Sequence, residues 1–183
     1  IKTKYNMKIK FIILILLTLS IISCNESNQQ KNPKEIEPDN FKKGLTIEFN
    51  FKTSKSDQFK IMMNNIKVDE FQKKNIQIIE NVINSAGDDN IVADFDPNNL
   101  SKQIVIHMGG KTEKEVVING ILISYGDKQF HLTSPEEFNS NLVFNKFIVR
   151  DSTTNKLTTK RIDGKLNPTI RIKNSLINQL QRE

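Results

Sequence analysis

The chain has 183 residues, 37% hydrophobic and 26% charged, with a formal net charge of +6, enough for one globular domain with appendages and cramped for two. Seven Gly and five Pro in no repeating order exclude collagen-like and wholly disordered chains. Ala stands only at 86 and 93, whereas Ile occurs 26 times and Phe 11, a β-branched and aromatic bias that suits strands; the 22 Asn beside so many Ile and Lys point to nucleotide bias and discount part of it.

The first informative stretch is Met7-Lys8-Ile9-Lys10, followed by twelve largely apolar residues from Phe11 to Ile22 and then Ser23-Cys24. A helix crossing a bilayer needs about 20 apolar residues, so this run reads as the h-region of a signal peptide over residues 1–23, with Lys8 and Lys10 as its n-region and Met7 as the better start. Ile21-Ile22-Ser23-Cys24 resembles the lipobox of bacterial lipoproteins. That resemblance implies diacylglycerol on the Cys24 thiol, cleavage just before it and acylation of the freed amine. Cys24 is the only cysteine, so no internal disulfide competes for it. The address the resemblance implies is the envelope of a diderm bacterium, at the outer membrane, facing the periplasm or the cell surface, with several acyl chains giving stable anchoring.

Removal of residues 1–23 takes away four lysines and no acid, leaving 23 basic against 21 acidic residues and a net charge of about +2. The basic stripe expected of a nucleic-acid binder is then missing, and nucleic acid is not an expected partner. Residues 24–40 form a polar tether in which Ile36 is the sole aliphatic side chain. Such a segment buries too little apolar area to offset its ordering entropy. The expected domain spans 41–173, with 174–183 as a tail.

Within the domain, Leu45, Ile47, Phe49 and Phe51 alternate with polar residues, giving a half-buried strand. Phe59, Ile61 and Met63 repeat the pattern after a Thr53–Asp57 turn. Residues 76–84 fit a strand in which Glu80 is the exception, with a helix over Val68–Ser85 as the competing pattern. Further strands are expected at Asn90–Asp96, Gln103–Met108 and Val116–Ser124, the last with a bulge or close approach at Asn119-Gly120. Gly126-Asp127 turns the chain into Lys128–Leu132. Ser134-Pro135-Glu136-Glu137 is a capping box with Pro at the first helical position and predicts a short helix from Pro135 to about Leu142. Strands at Asn145–Arg150, Leu157–Ile162 and Thr169–Lys173 follow.

Eight or nine strands with one short helix predict an all-β fold, an antiparallel β-sandwich of jelly-roll type. Gln103 through Leu132, with Ile104-Val105-Ile106-His107-Met108, Gly-Gly and then Val-Ile-x-Gly-Ile-x-Ile, resembles the closing half of galactose-binding-like and carbohydrate-module jelly rolls. It carries no site motif.

Candidate site residues are few. His107 and His131 lie on the polar parity of their strands and would make a two-histidine site only if those strands pair. Asp88, Asp89, Asp94 and Asp96 offer oxygen ligands for a structural Ca²⁺, although Asn99 and Val105 stand where an EF-hand loop has Gly and Glu. No other cofactor is expected. Tyr125, the sole aromatic of the sugar-stacking kind outside the signal segment, stands beside Gly126-Asp127, so Tyr125 and Asp127 are the candidate ligand-binding pair. Asp151-Ser152-Thr153 resembles the acceptor of protein O-glycosylation in some Gram-negative bacteria, Asp, then Ser or Thr, then an aliphatic residue or Thr. Nucleophile elbows, phosphate loops and dinucleotide fingerprints are absent from the sequence, so catalytic residues are not expected. The leading expectation is a non-catalytic, membrane-tethered module that binds an envelope or extracellular protein or glycan. An inhibitor or immunity-type lipoprotein is the alternative and a glycan-active hydrolase the third.

Overall fold

The computed structural model describes residues 44–64, 76–95 and 100–182, all within one compact unit. The signal segment, Cys24, the tether and Asp96 lie outside the described residues. Alternation of apolar and polar side chains organises the fold. β1 (Leu45–Thr53) buries Leu45, Ile47, Phe49, Phe51 and Thr53, while the residues between them face outward. β2 (Asp57–Asn64) does the same with Phe59, Ile61 and Met63.

The chain continues through β3 (Gln77–Val82), β4 (Asp89–Phe95), β5 (Gln103–His107), β6 (Glu115–Tyr125) and β7 (Lys128–Leu132). A short helix, α1 (Pro135–Asn141), precedes β8 (Leu142–Phe144), β9 (Ile148–Arg150), β10 (Lys156–Thr159) and β11 (Thr169–Ile172), and α2 (Asn174–Gln181) follows. The strands form two antiparallel sheets. Sheet A is six-stranded in the order β4-β1-β6-β10-β9, with β7 also on β6; sheet B is five-stranded in the order β3-β2-β5-β11-β8. The expected all-β sandwich with one short helix near 135–142 is thus the observed fold. Residues 76–84, ambiguous between strand and helix, contain the strand β3.

The core is one cluster drawn from the facing sides of both sheets. Phe49, Phe51 and Phe59 stack in series, with ring centroids 4.6 and 4.9 Å apart, and so link sheet A to sheet B. Each such side chain contributes about 1.5–3 kcal/mol by burial. β6 is the longest strand and pairs with β1 along its length. Asn50 sits opposite Gly120 and Phe51 opposite Ile118, which leaves Asn119 as the extra residue of a bulge, where the sequence placed it. Gly126 takes φ +63° at the first central position of the β6–β7 turn, the type II′ pattern that glycine supplies without steric cost.

α1 is built as the capping box predicts. The Ser134 hydroxyl accepts from the Glu137 amide at 3.2 Å, and Glu137 Oε2 accepts from the Ser134 amide at 3.0 Å. Two features depart from expectation. Leu142 leads from α1 directly into β8, a strand the sequence did not reveal. The segment read as a tail contains α2, which buries Leu176, Ile177 and Leu180 in the core.

Candidate functional site

Two buried charged residues meet on the side of the strands that faces the core. Asp57 shares the parity of Phe59, Ile61 and Met63 at the start of β2. Lys114 shares that of Val116 and Ile118 just before β6. Their side chains are 1% and 0% exposed, and Lys114 Nζ stands 2.7 Å from Asp57 Oδ2. The ammonium also donates to the Met108 carbonyl at 2.9 Å and lies 5.8 Å from the centre of the Phe59 ring. The carboxylate accepts from the backbone amides of Gln58 at 2.7 Å, Lys111 at 3.0 Å and Thr112 at 3.3 Å. Thr159 of β10 secures the other side, its hydroxyl accepting from the Lys114 amide at 2.8 Å.

Burial alone pushes the Asp57 carboxyl up. The Lys114 hydrogen bond, the Gln58 amide, the Lys114 charge and the Thr112 amide outweigh it and hold the group below the usual carboxylate range. Burial moves Lys114 down from its ordinary range against the opposing pull of Asp57. The partners of this pair all belong to the fold, and its hydrogen bonds pin the 108–114 connection onto β2. Gly109 completes the fit: at φ +77° it has no Cβ, and one placed there would lie 2.3 Å from Asp57 Cγ. This centre holds the two sheets in register.

The candidate residues taken from sequence are dispersed. His107 is half-buried on the outer face of sheet B, where its Nδ1 accepts from the Gly109 amide at 3.2 Å. Burial lowers it from its ordinary value, opposed by the Asn167 side chain. His131 is exposed on the outer face of sheet A, opposite Leu122 of β6. The two histidines therefore stand on opposite outsides of the sandwich. Tyr125 takes the core-facing parity of β6 and packs against the core, while Asp127 is exposed in the turn beyond it. Asp88 is exposed before β4. Asp89 lies opposite Phe51 on the inward parity of β4, and Asp94 lies opposite Thr46 on the outward parity. Five residues of strand separate the two by about 17 Å, so they cannot share one ion. Asp94 instead accepts from the Thr46 hydroxyl at 2.7 Å. Among the described residues no group of three or more His, Cys, Asp or Glu is placed to hold a metal.

Cross-strand register assembles a different set. On the outer face of sheet A, Asp94, Thr46, Ser124 and Gln129 form one rung across β4, β1, β6 and β7; Val92, Glu48, Leu122 and His131 form the next, and Asn90, Asn50 and Gly120 a third. Gly120 leaves a gap in this face that His131 covers, its Nε2 lying 3.3 Å from where a Cβ would sit. The result is a surface of amide, hydroxyl and carboxylate groups with Val92 and Leu122 between them. It can offer paired donors and acceptors to a partner spanning several strands. The outer face of sheet B differs: Lys60, His107 and Arg171 stand among Met62, Ile79, Val105 and Val143.

Compared with protein-family models, with curated proteins and with solved structures, the chain matches none.

Proposed function

We propose that the protein is a lipid-anchored lipoprotein of a diderm cell envelope whose β-sandwich is a non-catalytic module binding an envelope or extracellular partner. The observation that carries this reading is the succession of Lys8 and Lys10, the apolar run Phe11–Ile22 and the lipobox ending in Cys24. The polar rungs of sheet A support the binding role, because Thr46, Glu48, Asn50, Asn90 and Asp94 present hydrogen-bonding groups on a rigid strand scaffold. The buried Asp57–Lys114 pair supports a non-catalytic role, since its polar atoms are engaged by the fold itself.

Attachment is tested by Cys24→Ala in a diderm host. The wild-type chain takes up labelled fatty acid and sediments with membranes, whereas the variant is soluble or an uncleaved precursor; label retained on the variant overturns the anchor. Binding is tested by capture from envelope extract with residues 25–183, wild type against the triple variant Thr46→Lys, Glu48→Lys and Asn50→Lys. A bound protein or glycan lost with the triple variant supports the face, and equal capture by both excludes it.

The inhibitor or immunity-type reading is favoured by one observation. Among the described residues β3 is the outermost strand of sheet B and presents Ile79 at 43% exposure, with Ile83, at 72%, just beyond its end. Such an edge suits strand addition to a toxin or enzyme. Loss of capture on Ile79→Lys with Ile83→Lys, and not on the sheet A triple variant, would favour it.

A further inference from the structure

The turn from Asp151 to Asn155 joins β9 to β10 at the surface, and residues 151–154 are all exposed. Asp151 organises it. One carboxylate oxygen, Oδ1, accepts from the Thr153 amide at 2.9 Å and from the Thr153 hydroxyl at 2.7 Å, and the Asp151 carbonyl accepts from the Thr154 amide at 3.2 Å. Ser152 sits within this turn. Its carbonyl is held by the Asn139 side-chain amide at 3.1 Å, so its backbone is fixed while its hydroxyl has no hydrogen-bond partner among the described residues.

That combination is particular to Ser152. Among the other described serines whose hydroxyls make no hydrogen bond, Ser124 lies in β6, Ser140 in α1 and Ser175 in α2, each within regular structure. Thr112 is exposed in a loop but follows Lys111 rather than an aspartate. Thr153 has given its hydroxyl to Asp151. Only at Ser152 do an unengaged hydroxyl, an irregular exposed backbone and a neighbouring carboxylate with its second oxygen outside the turn's hydrogen bonds coincide. Those are the properties that a transferase needs in an acceptor: a reachable nucleophile, a chain it can enclose and a charged group to orient against.

We propose that Ser152 is the acceptor of an O-linked glycan, transferred from a sugar carried on a lipid diphosphate. The proposal rests on the envelope address, where donors of that class are available and nucleoside triphosphates are not. In the transfer, Ser152 Oγ attacks the anomeric carbon; the Oγ–C1 bond forms, the bond from C1 to the phosphate oxygen breaks, the lipid diphosphate leaves with the electron pair, and the hydroxyl proton passes to a base of the transferase. Asp151 acts as a positioning residue. Asp151 and Thr154, which flank Ser152, line a shallow recess with Val149, Lys156 and Thr158. A sugar on Ser152 would lie beside this recess and shield Val149, which is 49% exposed on the edge strand β9, adding a bulky, soluble group where a free strand edge invites pairing.

The test uses the full chain made in the organism that encodes it. Arg150 and Lys156 bracket the turn, so trypsin releases Asp151–Lys156 as one peptide. The expected result is a peptide heavier by whole sugar units, with fragmentation placing them on Ser152. Ser152→Ala should lose the added mass, Ser152→Thr should keep it and Asp151→Asn should reduce it severalfold, with melting temperatures close to wild type in all three. A bare peptide, or sugar persisting in Ser152→Ala, overturns the proposal. Fractionation of the same cells separates the causes: a bare peptide from membrane-bound protein refutes the acceptor alone, while a bare peptide from cytosolic protein refutes the envelope address with it.

Discussion

Lys114→Met removes the one side-chain cation that, among the described residues, pairs with the buried carboxylate of Asp57, and leaves that charge with backbone amides. The expected cost is about 3–5 kcal/mol, as for other broken buried pairs. Replacing both partners, Asp57→Leu with Lys114→Met, removes the unpaired charge together with its partner and should cost less than either single change. Urea denaturation of the four proteins checks this, and additive losses would show that the pair is not coupled. On β1, Phe49 is fully buried in the ring stack, so Phe49→Ala should cost about 3–5 kcal/mol, whereas its outward neighbour Asn50→Ala should stay within about 0.5 kcal/mol. Similar losses at both would contradict the register. The ion pair was legible in part: an acid on the parity of Phe59 and Ile61, and a lysine on that of Val116 and Ile118, each break an apolar alternation. The sequence could not say that they meet, because 57 positions separate them and only the topology closes that distance.

At the level of elements, β3 explains its own irregularity. Glu80 faces Phe59 of β2 on the inward parity, yet it is exposed because β3 is the sheet edge. An inward-pointing charge on an edge strand discourages pairing with another chain. Glu80→Val should therefore leave the melting temperature near wild type and promote association, seen as light scattering at rising concentration; Asn81→Val, on the outward side, should do so less. The same element shows why alternation sufficed for the long strands and fell short elsewhere. β8 spans three residues and begins at the C-cap of α1, with no turn residue to announce it. α2 has Lys173 at its N-cap, with no side-chain cap and no acid in its first turn, so the segment reads as a tail even though Leu176, Ile177 and Leu180 share one face. The candidate site was less legible than the fold. Its rungs depend on which strands lie side by side, and neither β4 beside β1 nor β1 beside β6 follows from chain order.

For the molecule as a whole, acid should be the weak side. The Asp57 carboxyl is held below its ordinary range in the folded chain, so the unfolded chain takes up that proton first. Its contribution is complete above about pH 4 and is lost as pH falls through the folded value. His107, also held down in the fold, adds a loss that begins as pH drops below about 6.5. Urea midpoints measured from pH 7 to pH 2 should fall in both steps. Asp57→Leu with Lys114→Met should flatten the lower step and leave the upper one, and an unchanged lower step would remove Asp57 from the account.

The pairing of β1 with β6 has a kinetic side. Phe49 meets Ile121 about 70 residues later in the chain, and β1 cannot be flanked on both sides until that segment has been synthesised. Contacts so far apart make folding slow, on the scale of milliseconds to seconds for all-β domains. A nascent chain with β1 and β2 unpaired would remain unfolded for that time, and an unfolded chain can be threaded through a membrane pore on the route proposed from the signal segment. If the chain is exported as proposed, the long reach of β1 to β6 would favour delivery before the native state forms.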